Sequence, residues 1–140
     1  MQNEESAPRF ATQRLPAAAT TVAPDGSDVR VLLQLPSGGL AHFALPPRQT
    51  STAVQHKTIS EIWYFISGIG EMWRAADEQE ETVDVGPGVS ITIPVGTRFQ
   101  FRSTSDELLV AIGFTTPPWP GDAEAFAVEG PWTPTVPRRT

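Results

Sequence analysis

The sequence predicts an all-β protein, a double-sheet jelly-roll barrel with a short N-terminal arm and a C-terminal tail rich in proline and tryptophan. Three observations carry this. Fourteen prolines and 11 glycines punctuate 140 residues, an interval too short for long helices. Between them lie about nine short runs rich in β-branched and aromatic residues, the spacing of a sandwich or barrel. Several of these runs alternate apolar and polar residues, the period of a half-buried strand.

The chain divides into an arm at 1–24, a barrel at 25–116 and a tail at 117–140. The arm holds three prolines and the run Ala17-Ala18-Ala19, with no sustained period, and is expected to order only against the body or a second subunit. Pro24-Asp25-Gly26 marks a turn. Residues 29–35 read as a strand, Pro36-Ser37-Gly38-Gly39 as a tight hairpin loop and 40–45 as the returning strand. In 50–56, Thr52, Val54 and His56 share a face, so Val54 points wherever His56 points.

After Glu61, the run from Ile62 to Ile66 is β-branched or aromatic and predicts a strand over 61–67. Period two puts Glu61, Trp63 and Phe65 on one face and Ile62, Tyr64 and Ile66 on the other. Both faces are apolar, which predicts a strand buried on both sides. A return strand is expected at 71–75, a solvated acidic loop at 77–81, and a further strand at 89–93 after the turn Gly86-Pro87-Gly88. Residues 98–102 alternate with Phe99 and Phe101 inward and Arg98, Gln100 and Arg102 outward, and 107–114 close the series. Arg74 is also expected to face out, so no anion site is read here. In the tail, Asp122 is expected to cap a short helical turn over 123–128, ended by Gly130. Its tryptophans are expected to anchor it on the barrel exterior, over a neighbouring subunit or as a lid on the barrel mouth.

Charge and composition exclude several classes. The net charge is −6 with no basic block, which argues against a nucleic-acid or anionic-membrane surface. No cysteine is present, so there is neither a disulfide framework nor a thiolate site. No run approaches the ~18 apolar residues of a membrane span. The start of the chain is acidic and lacks a signal-like apolar core, so a cytoplasmic location is expected.

Chemistry concentrates at one place. A carboxylate sharing a face with Trp63 and Phe65 requires a partner, because an unpaired buried charge is costly. His56, five positions before Glu61, is the nearest candidate.

The same residues resemble the cupin superfamily. His56, four intervening residues, Glu61, six more and Gly68 are similar to the second half of its first motif. Gly88, five residues, Pro94, Val95, Gly96, two residues and Phe99 are similar to its second motif. The resemblance implies the jelly roll, a homodimer, and a divalent metal held by three histidines and the glutamate. Here Val54 stands at the first histidine position, Phe99 at the last, and Ser103 at the closing asparagine. Only His56 and Glu61 remain, against the three protein ligands usual for zinc or an iron facial triad.

The expected function is therefore a small organic molecule bound in an aromatic pocket lined by Val54, Trp63, Phe65, Phe99 and Phe101. A metal-independent acid/base enzyme of isomerase, epimerase or lyase type would use His56 as acid or base, with Glu61 fixing its tautomer and raising its basicity. No cofactor is expected on that reading. An alternative is a degenerate metallocupin, an oxygenase or lyase, with Fe, Mn, Ni or Zn on His56 and Glu61 and with His42 or water completing the site. A third reading is a non-catalytic sensor. Alternation does not settle which way His42 faces.

Overall fold

The computed structural model describes residues 9–136. The readings of Met1 to Glu5 and of the last four residues fall outside them. The strands are β1 (Thr21–Val22), β2 (Asp28–Leu35), β3 (Gly38–Leu45), β4 (Val54–His56), β5 (Ser60–Ser67), β6 (Gly70–Ala76), β7 (Gln79–Val85), β8 (Ser90–Ile93), β9 (Arg98–Ser103), β10 (Leu109–Thr116) and β11 (Ala125–Ala127). They form two sheets, β1-β2-β3-β10-β5-β8 and β11-β4-β9-β6-β7. The architecture is a double-sheet jelly roll, with two hydrogen-bonded sheets in place of one closed barrel. Among the described residues no helix is long and apolar enough to cross a membrane.

The core lies between the inner faces. Phe43, Trp63, Phe65 and Ile93 from the first sheet meet Met72, Phe99 and Phe101 from the second. Gly113 of β10 makes this packing possible. A Cβ there would lie 2.4 Å from Phe43 and 3.1 Å from Trp63. Without one, those two rings stack across the strand at 4.8 Å.

Several expectations need correction. Strand β5 is buried on one face only, since Trp63 and Phe65 are 1% and 0% exposed but Ile62 and Tyr64 are each 51% exposed. Ile66, on the same outer face of β5, is exposed as well. The first hairpin turns at Pro36-Ser37 alone, and Gly38 and Gly39 belong to β3. The acidic segment is mostly strand, with only Asp77-Glu78 at the turn. Glu80 accepts the Trp73 Nε1 bond at 2.7 Å, and Glu81 pairs with Arg74 at 2.5 Å.

Gln100, read as outward, is fully buried. The tail crosses it there. Its Nε2 donates to the Ser51 and Trp132 carbonyls at 2.8 Å, and its Oε1 accepts from the Trp132 backbone N–H at 3.1 Å. Arg102 bonds Glu71 at 2.6 Å and lies 4.1 Å from the Trp132 ring centroid. The expected helical turn is instead a 3₁₀ turn at Asp122–Glu124, with no side-chain cap, followed by β11 paired to β4. At the other end, the arm lies along β2, where Arg30 donates to the carbonyls of Pro16 and Ala17 at 2.8 and 3.1 Å.

Candidate functional site

Val54 and His56 are both buried in the short β4, and Glu61 opens the inward face of β5. The loop between the two strands is clamped from the tail. Glu124 Oε2 accepts from the backbone N–H groups of Thr58 and Ile59 at 2.6 and 2.9 Å, and Oε1 accepts from Thr58 Oγ1 at 2.5 Å. The clamp brings His56 Nδ1 to 3.1 Å from Glu61 Oε2, with both residues 4% exposed. The contact is close but lacks hydrogen-bond alignment, so Nδ1 has no bonded partner. Trp63, two residues along the same face, donates Nε1–H to Glu61 Oε1 at 2.5 Å. Phe99 and Trp119 meet the His56 ring edge-on at 5.2 and 5.4 Å.

Electrostatics alter the expected roles. Burial pushes Glu61 up to about 8, against the pull of the Trp63 bond and with help from the negative Asp25 and Glu124. Burial drives His56 down to about 4, against the opposing charge of Glu124. Both groups are therefore neutral at pH 7, one as a carboxylic acid and the other as a free imidazole. With burial favouring its neutral form, Glu61 has little charge with which to raise the basicity of His56. Glu124 behaves differently. Burial alone would raise it, but the Thr58 and Ile59 bonds outweigh burial and hold it below the usual carboxylate range.

A cavity of about 170 Å³ adjoins the pair. Of the residues expected there, His56, Glu61, Val54 and Trp63 line it. Phe65, Phe99 and Phe101 do not reach it. Their rings pack against Trp63 at 6.0, 6.0 and 5.1 Å and form the core behind the wall. The remaining wall includes Phe43, Asp25, Trp119 and Asp122. Alternation left open which way Phe43 faces, since both parities of its strand hold apolar residues, and nothing in local spacing brings residues 25 or 119 to His56.

The donor set does not suit a divalent metal. Val54 and Phe99, at two of the histidine positions of the cupin motifs, are direct cross-strand partners and fill that space with carbon. His42 faces the opposite way, since Ala41 and Phe43 line the cavity and strand side chains alternate. Its cross-strand partners are Arg30 and Ile112. It therefore cannot complete a site with His56 and Glu61. Among the described residues no group of three His, Asp or Glu is gathered where a metal would be held.

A two-sheet antiparallel jelly roll is the architecture to which cupins belong. Residues 41–114 match the cupin domain family, and the chain belongs to it. No curated protein matches the sequence. Among solved structures, it is similar to CapF bound to the inhibitor 3-isopropenyl-tropolone, with a TM-score of 0.66 and 20% identity over 76% of this chain and 32% of CapF. It therefore spans about a third of that protein's length. Streptomyces PAC13, as a variant with uridine, gives a TM-score of 0.65 and 17% identity over 85% of this chain and 92% of PAC13. KdgF from Halomonas sp. gives 0.63 and 16%, over 76% and 94%. At these identities the likeness is one of fold.

Proposed function

We propose that the protein binds a small organic molecule in the cavity beside His56 and moves a proton on it without a metal. The observation that carries the reading is the His56–Glu61 pair, two buried titratable groups 3.1 Å apart on the wall of an aromatic cavity. Burial leaves the imidazole free to accept a proton and the carboxyl carrying one to give. His56 takes a proton from an acidic C–H of the ligand, and Glu61 delivers one to the atom that receives the electron pair. Transfer from the imidazolium to the carboxylate then restores the starting state. Isomerisation, epimerisation and elimination fit this sequence. That CapF and PAC13 hold small molecules supports the binding half of the reading. The reading includes a homodimer formed through the outer face of the first sheet, where Ile62, Tyr64 and Ile66 stand exposed.

The test is ligand-detected NMR with a set of small aromatic compounds, followed by C–H exchange of each binder in D2O. Wild type should exchange a ligand proton, and Glu61→Gln should bind equally but lose exchange by about 100-fold or more. Binding without exchange by wild type would leave a binding protein and end the catalytic half.

A further inference from the structure

We infer that Trp119, on the tail, is the residue that selects the ligand, and that the ligand it selects carries one planar aromatic ring. The inference rests on the cavity being the ligand site and deepens that reading. Trp119 lines the cavity together with Phe43 and Trp63. The Phe43 and Trp63 rings are stacked at 4.8 Å with 18° between their planes, and the Trp119 ring meets His56 edge-on at 5.4 Å. Three aromatic side chains on one wall offer a ligand ring the stacked and edge-on contacts that aromatic pairs gain beyond burial alone. A saturated ring of similar size gains the burial without those contacts. The volume suits a single ring. A cavity of about 150 Å³ is enough to hold benzene in an apolar interior, and this one measures about 170 Å³.

A second observation separates Trp119 from the residues that anchor the tail. Before it, Thr116 Oγ1 donates to the Ser37 carbonyl at 3.0 Å. After it, Glu124 clamps the loop at Thr58 and Ile59, β11 pairs with β4, and the Trp132 backbone is bonded to Gln100. Between these anchors Pro117, Pro118 and Pro120 each have a locked φ, so a stiff strap presents the indole to the cavity. Trp63 and Trp73 give their indole N–H groups to Glu61 and Glu80 at 2.5 and 2.7 Å, whereas Trp119 gives no such bond among the described residues. The strap, and not a bond from the ring, holds Trp119 beside His56. Trp119 also lies outside the family-matching stretch 41–114, so this selectivity belongs to the tail of this chain.

The experiment uses the full chain and two probes of one skeleton, acetophenone and cyclohexyl methyl ketone, titrated by calorimetry at pH 7. Wild type should bind acetophenone at least about tenfold more tightly, the size of two or three aromatic contacts. Trp119→Ala should weaken acetophenone by about tenfold and the saturated ketone much less, so that the ratio falls toward one. Trp119→Phe keeps an aromatic ring on the strap and should retain most of the ratio. Phe126→Ala, on β11 but not on the cavity wall, should leave the ratio as in wild type. Equal binding of the two ketones by wild type, or a ratio that survives in Trp119→Ala, would overturn the inference and leave the binding site standing. Binding of neither ketone would overturn it too, and the ligand screen above would then decide the binding site by itself.

Discussion

Burial acts on Glu61 through its proton. Its pKa is raised to about 8, so the folded state holds a proton that the unfolded state has lost, and stability falls as pH rises from the ordinary carboxylate range through 8. His56, lowered to about 4, works the other way. The unfolded chain binds the extra proton, so stability is lost as pH falls from about 6.5 toward 4. Where these ranges overlap the two slopes offset, and above pH 6.5 only Glu61 of the pair acts. From pH 6.5 to 8 the protein should lose about 2 kcal/mol of stability through this residue. Glu61→Gln keeps an oxygen for the Trp63 N–H, and urea unfolding should show its stability flat across that interval. A wild-type curve equally flat would mean that Glu61 is ionised throughout.

At the scale of elements, the 3₁₀ turn and β11 decide where the site closes. Glu124 satisfies two backbone N–H groups and a hydroxyl in the loop joining His56 to Glu61. Glu124→Ala leaves those donors without their partner and should cost about 2–4 kcal/mol, given several charge-assisted bonds in a partly buried place. Chemical denaturation measures the loss, and His56 would be expected to move with the freed loop. This element was the least legible in the sequence. Alternation was enough for the inward residues of β5 and β9, because period two is a local property of a strand. Whether the other face of a strand is covered is not local. Gln100 is buried only because the tail arrives over it, while Ile62 on the outer face of β5 stays exposed. The cupin spacing placed His56 beside Glu61, but Asp25 and Trp119 reach the cavity through long-range packing that leaves no spacing to read.

Over the whole molecule, the two sheets hold the pair at fixed separation, and β2, β3, the arm and the tail supply most of the remaining cavity wall. Val54 and Phe99, at two of the family's histidine positions, face each other across β4 and β9, and the proposed chemistry rests on two neutral, buried, opposed groups. The proposed proton transfer depends on that neutrality. It is tested most directly by NMR titration of protein labelled at histidine nitrogens and glutamate carboxyl carbons, with only His42 and His56 to assign and His56→Gln and Glu61→Gln as controls. The expected result is an imidazole at His56 that stays neutral down to about pH 4 and a Glu61 carboxyl that titrates at about 8. An imidazolium at His56 facing an ionised Glu61 at pH 7 would contradict it.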